Sequence, residues 1–227
     1  MDGARALARR VAVNALVLPT LDTQPALDRV LSEIPAGFLV IVVDDGSEPA
    51  LRLPYGVRGI RHPENRGYGA AQKSGYAAAL HAGAERVALL HGDGQYATAD
   101  VLALLDALDD APAALGSRFL ADPSVIPGWR RLGNRALTGL ANWRFGSAHT
   151  DLHTGARAFR AELLRAMPLA EFSDDFVFDQ QVLAWLLRGG VPVGERPART
   201  RYDEGTRSIS PWRSVVYGVG CLRAILG

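Results

Sequence analysis

Cysteine is all but missing from this chain. Cys221 is the only one in 227 residues, which excludes an internal disulfide and fits a reducing compartment. Lysine is just as scarce. Lys73 stands alone, and the remaining positive charge is arginine, the side chain with the better fork for phosphate. Charge of one sign is absent too: 25 basic against 24 acidic residues leave +1, which excludes the basic footprint of a nucleic-acid binder. No apolar run reaches the roughly 18 residues that cross a bilayer, and no signal peptide is expected before the first strand. Internal repeats and low-complexity linkers are missing as well. The rest is ordinary for one globular unit, 48% hydrophobic and long enough to bury a sizeable core.

The most informative stretch is Phe38-Leu-Val-Ile-Val-Val43, followed by Asp44-Asp45-Gly46-Ser47. A continuous β-branched run reads as a strand buried on both faces. It ends abruptly in two carboxylates and turn residues, and in open α/β sheets ligands bind at the carboxyl ends of strands. The neighbouring segments alternate. Strands are expected at 11–18, 38–43, 57–60, 86–90 and 113–115, with helices at 25–34, 68–82 and 97–108 between them. This order predicts an α/β fold with a mostly parallel sheet flanked by helices. Beyond it, 121–128 reads as a loop, 132–145 as a helix, 153–159 as a strand and 178–188 as a helix stopped by Gly189-Gly190. The tail from 211 to 226 is amphipathic, with Trp212, Val215, Val216, Tyr217, Val219, Leu222 and Ile225, and with Arg213 and Arg223. It is expected either to pack on the 1–210 domain or to lie on a membrane surface.

Further motifs follow the acidic pair in order: Asn65-Arg66-Gly67-Tyr68-Gly69, His91-Gly92-Asp93-Gly94-Gln95, Gly116-Ser117-Arg118, and Asp151-Leu-His-Thr154-Gly155-Ala156-Arg157. Taken together with Asp44-Asp45, this set resembles the family 2 glycosyltransferases, within them the polyprenol-phosphate (dolichol-phosphate-mannose-like) branch, over about residues 11–210. The resemblance implies a single GT-A domain and a metal-dependent, inverting transfer of sugar from a nucleotide-sugar. The acceptor it implies first is a polyprenyl phosphate. A soluble hydroxyl acceptor, or a degenerate binding protein, is the alternative. It further implies a cytoplasmic protein, at the inner face of the membrane if the acceptor is a lipid.

The same resemblance distributes the residues. Asp44, followed by Asp45, would accept hydrogen bonds from the nucleobase, with Pro19 and Thr20 as the wall of that pocket. Where relatives carry Pro-x-Tyr/Leu-Asn-Glu this chain has Thr23 in place of the glutamate. Asn65, Gly67 and Gly69 would present backbone N–H groups at a helix start, where anions are favoured. His91, Gly92, Asp93 and Gln95 occupy the Asp-x-Asp-x-Gln metal motif. Asp93 and Gln95 match it for Mg²⁺ or Mn²⁺, and His91 replaces the first aspartate. Arg118, Arg130, Arg131 and Arg135 would grip the acceptor phosphate by bidentate hydrogen bonds. Asp179 would serve as base for a hydroxyl acceptor or orient groups, and Arg207, in the segment 201–208, would close over the donor diphosphate.

Overall fold

The structure, a computed structural model, describes residues 13–201 and 211–227, with side chains from 217 onward in the second stretch. Seven strands form one sheet: β1 Asn14–Thr20, β2 Leu39–Asp44, β3 Arg58–Arg61, β4 Arg86–Leu89, β5 Ala113–Ser117, β6 Arg157–Arg160 and β7 Val193–Pro197. The helices are α1 Gln24–Glu33, α2 Tyr68–His81, α3 Thr98–Ala107, α4 Arg118–Ala121, α5 Gly128–Phe145, α6 Ala161–Ala166, α7 Phe178–Arg188 and α8 Pro211–Leu226. The strand order is β3-β2-β1-β4-β6-β5-β7. Only β6 runs against its neighbours; every other pairing is parallel.

The continuous apolar strands are explained by burial on both faces. Along β1, Ala15 and Val17 enter one core and Leu16 and Leu18 the other. Ile41 and Val43 of β2 point to the first side and Val42 to the second. Tyr76 of α2 and Phe178, Leu183 and Leu186 of α7 close the first core. Leu27 and Val30 of α1, with Val101, Leu104 and Leu105 of α3, close the other. The result is three layers, helices over both faces of a parallel-rich sheet.

The chain runs from β1 outward through β2 to β3, then returns to place β4 on the other side of β1. Strand order therefore reverses at β1, and a crevice opens beyond its carboxyl end and those of β2 and β4. This reversal sets where the site lies.

Several boundaries differ from the sequence expectation. The helix expected from 132 begins at Gly128, because Pro127 ends an extended stretch and its carbonyl accepts from Arg131 N–H (2.9 Å). The strand expected over 153–159 is confined to Arg157–Arg160. Residues 152–155 are drawn into side-chain bonds instead, Arg157 Nε and Nη2 donating to the Thr154 carbonyl (3.0 and 2.9 Å). β7 and α6 were not expected. β7 is an edge strand whose sequence, Val-Gly-Glu-Arg-Pro, carries too little apolar character to announce itself.

Candidate active site

A cleft of about 990 Å³ opens at the reversal point. One wall comes from the end of β1 and the loop into α1: Pro19, Thr20, Leu21 and Thr23. The acidic pair that ends β2 divides its labour. Asp45 lines the cleft, whereas Asp44 does not. Asp44 instead accepts from Ser47 N–H (2.8 Å), Leu51 N–H (3.2 Å) and Arg61 Nη1 (2.5 Å). Burial alone would raise the Asp44 carboxyl, but these hydrogen bonds outweigh it and hold the group below its ordinary value. Asp44 thus builds the turn behind the pocket, and of the expected acidic pair it is Asp45 that lines the cleft. Asp45 accepts from the Arg66 and Gly67 N–H groups (3.0 and 2.9 Å) and pairs with His62 Nδ1 (2.6 Å), whose Nε2 meets Ser74 Oγ at 2.9 Å.

That clamp also draws on the glycine loop. Two of its backbone donors are spent on Asp45, and Ala70 N–H is spent on the Asp174 carbonyl (3.1 Å). The glycines serve close packing of protein on protein. At Gly67, φ is +106° and a Cβ would lie 2.4 Å from the Asp174 carbonyl oxygen; at Gly69 it would lie 2.4 Å from that of Ser173. Gly92 likewise lets β4's exit pass Thr20, whose Oγ1 would be 2.2 Å from a Cβ. Asn65, Arg66, Gly67 and Tyr68 still line the cleft; Gly69 and Gly92 do not.

His91, Asp93 and Gln95 all reach the cleft from the loop after β4. Asp93 Oδ1 accepts from Gln95 N–H (2.9 Å), and neither Asp93 Oδ2 nor the Gln95 amide group has a hydrogen bond among the described residues. His91 is held differently: its Nε2 meets the Tyr68 hydroxyl at 2.9 Å, and its ring packs between Tyr68 and Tyr96. No group of three or more His, Cys, Asp or Glu capable of holding a metal occurs among the described residues. The donor set therefore fits a hard cation shared with a ligand's own phosphate oxygens, one protein carboxylate being enough for that arrangement. It does not fit a cation held by protein alone.

The far wall is α5 with residues from three other elements. Arg118 lines the cleft but is paired: Nε and Nη2 fork onto both oxygens of the fully buried Asp151 (2.7 and 2.9 Å), and Nη2 also donates to the His153 carbonyl (2.8 Å). Arg130 lines the cleft, stacked over Trp129 at 4.9 Å. Arg131 and Arg135 do not reach it. Arg131 donates to the Pro123 carbonyl (3.4 Å), and Arg135 lies over the Phe119 ring. Asp179, at the start of α7, is buried in the cleft floor, where Gln72 Nε2 donates to Oδ1 (3.0 Å) and the Arg157 guanidinium stands 3.7 Å from Oδ2. Arg207 lies outside the described residues. The chain enters that segment beside the cation motif, since Arg201 N–H donates to the Gln95 carbonyl at 2.8 Å.

Sequence reasoning passed over Tyr68, Tyr96, Trp129, Phe176, His153 and Tyr217, all of which line the cleft. The signal available for the first of these was its place between the two glycines of the loop. Tyr217 carried only the helical period of the tail.

The sequence matches the profile described as Glycosyl transferase family 2 over residues 16–167. The chain belongs to that family. It is 30% identical over 171 residues to polyprenol monophosphomannose synthase of Mycolicibacterium smegmatis, covering 70% of this chain and 64% of that protein. It is 28% identical over 205 residues to dolichyl-phosphate hexose transferase of Haloferax volcanii, covering 87% of each. These relatives place it in the dolichol-phosphate-mannose-synthase-like branch of glycosyl transferase family 2. Among solved structures, glucosyl-3-phosphoglycerate synthase from Mycobacterium tuberculosis in complex with UDP superposes with a TM-score of 0.69 at 16% identity, covering 95% of this chain and 79% of the other. The fold is of the GT-A type. That neighbour has also been crystallised with Mn²⁺ and with Mg²⁺.

Proposed function

We propose that this family 2 chain transfers a sugar from a nucleoside-diphosphate sugar to a polyprenyl phosphate, with inversion at the anomeric carbon. One observation carries the reading. The cleft that Asp93 and Gln95 line on one side is lined on the other by Arg130 with Trp129 and Leu137, an arginine set among apolar side chains. A cation and a charged fork on opposite walls suit two phosphates, and the apolar surface suits a hydrocarbon chain next to one of them.

In this reading Pro19, Thr20, Leu21 and Thr23 enclose the base, and Asn65 and Arg66 face the ribose and diphosphate. Asp93 and Gln95 would hold a Mg²⁺ or Mn²⁺ ion, which neutralises diphosphate charge and stabilises the departing nucleotide. Arg130 receives the acceptor phosphate. Arg118, already forked onto Asp151, fixes the wall behind it. A phosphate is ionised at neutral pH and needs no base to attack. Asp179, set between Gln72 and Arg157, then orients the donor sugar rather than removing a proton. The relatives named for polyprenol and dolichyl phosphate support the same acceptor.

The outer face of α5 supports contact with a bilayer. Leu132 and Trp143 lie off the cleft and are 73% and 78% exposed, and the helix also carries Arg131, Arg135 and Arg144 with no acidic residue. Such a face suits an anionic lipid surface. α8 is mixed over its described side chains: Cys221 is buried and Ile225 sits in the core, while Val219, Leu222 and Leu226 are exposed. No helix among the described residues is long and apolar enough to cross a membrane. The test is release of nucleoside diphosphate from uridine- and guanosine-diphosphate sugars with Mn²⁺. Release that rises on adding a short polyprenyl phosphate is the expected result; release independent of any acceptor would refute the reading.

A further inference from the structure

α8 is seated firmly enough to place a side chain in the cleft wall. Its Gly220 packs on Val177, where a Cβ would meet Val177 Cγ2 at 2.4 Å, and Cys221 is buried beneath. One turn earlier Tyr217 lines the cleft. The Tyr217 hydroxyl lies 3.1 Å from Gln180 Nε2 and 3.1 Å from His153 Nδ1. Gln180 Nε2 also donates to the Leu152 carbonyl (2.9 Å), an atom that can only accept, so the amide nitrogen is fixed in place and its second hydrogen faces the Tyr217 oxygen. Tyr217 therefore accepts from Gln180 and has its own proton to give. The imidazole nitrogen is the strong acceptor within reach, while the neighbouring Cys221 sulfur is a weak one. A ring that accepts at Nδ1 carries its proton on Nε2. Burial keeps the ring uncharged, holding His153 at about 4.

Among the described residues that Nε2 has no hydrogen-bond partner, and it is shielded from water, although His153 lines the cleft beside Arg118. A shielded donor left unpaired is unfavourable until an oxygen is brought to it. We propose that His153 is a further acceptor-binding residue: its Nε2–H donates to an oxygen of the acceptor phosphate, and Gln180 and Tyr217 set the tautomer that makes it a donor. The inference rests on the reading that the acceptor carries a phosphate, and it makes the C-terminal helix part of the acceptor site.

The test has two arms on the 227-residue chain. In the first, imidazole nitrogen resonances are recorded by NMR with ¹⁵N-labelled histidine. The expected spectrum shows His153 neutral and protonated at Nε2, with the tautomer balance shifted in Tyr217→Phe and the Nε2 signal moved by farnesyl phosphate. In the second arm, His153→Phe should raise the farnesyl phosphate KM by roughly ten- to a hundredfold, the scale of one hydrogen bond to a charged group, with donor affinity unchanged. His153→Gln, which keeps an N–H at similar reach, should recover part of that loss. A ring protonated at Nδ1, an unmoved Nε2, or an unchanged acceptor KM in His153→Phe would overturn the proposal. If the wild-type chain transfers nothing to farnesyl phosphate, the lipid reading fails by itself. The NMR arm with inorganic phosphate and glycerol 3-phosphate then decides: a shifted Nε2 upholds the role of His153, and a still one ends it.

Discussion

Asp93 has one oxygen committed to the turn of its own loop and one facing the cleft, so its replacement removes a ligand-facing charge with little effect on packing. Asp93→Ala should therefore fold with a melting midpoint close to wild type, lose turnover, and lose the extra stabilisation that Mn²⁺ gives in the presence of a nucleoside diphosphate. Thermal shift with and without the cation reads both effects. His153 makes a different prediction, about pH. Burial depresses it from 6.5 to about 4, so between those values the unfolded chain takes up a proton that the folded chain refuses. Stability should decline as pH falls through that window, by on the order of 3 kcal/mol, and not further below it on this account. Urea midpoints at several pH values should show that slope in the wild type and a flatter one in His153→Phe; equal slopes would mean that the ring is not buried uncharged. Asp44 shows how an acid at a strand end can be structural. Its bonds to Ser47, Leu51 and Arg61 tie the turn after β2 together.

Among the elements, the loop into α2 is the most tightly determined. Gly67 combines a left-handed φ with backbone contact at the Asp174 carbonyl, and Asp45 holds its N–H. Gly67→Ala should cost several kcal/mol or displace the 173–175 loop, seen as a lower melting midpoint together with weaker nucleotide binding. The outer face of α5 carries a separate expectation. Leu132→Ala with Trp143→Ala should reduce co-sedimentation with anionic vesicles and leave nucleotide affinity as it was, since neither residue lines the cleft. Equal vesicle binding would remove α5 as the contact. The buried strands and amphipathic helices were legible in the sequence because a doubly covered sheet demands β-branched runs and a half-buried helix demands a 3.6 period. Hence α7 falls at its expected residues, and the order of motifs located the cleft. What the sequence did not reveal rests on long-range pairing. Nothing local tells that Arg118 is taken by Asp151, that Asp45 rather than Asp44 lines the cleft, or that Tyr217 reaches His153. β7 was hidden because an edge strand needs little hydrophobicity.

For the whole molecule, the place of the cleft follows from one topological fact. The chain reverses its strand order at β1, which brings the ends of β1, β2 and β4 to a common crevice, and α5, α7 and α8 cover its other side. The cleft draws Pro19, Asp45, Asp93 and Gln95 from the first half of the fold and Arg130, His153, Asp179 and Tyr217 from the second. The antiparallel β6 joins them, delivering Arg157 beneath Asp179. The central claim is that this cleft joins a nucleotide-bound sugar to a lipid phosphate. It is tested most directly by mass spectrometry of the products formed from a panel of nucleoside-diphosphate sugars, Mn²⁺ and farnesyl phosphate, with glycerol 3-phosphate as a parallel soluble acceptor. The account predicts a farnesyl-phosphate sugar, formed by wild type and lost in Asp93→Ala. Sugar carried only by the soluble acceptor, or no product dependent on Asp93, would contradict it.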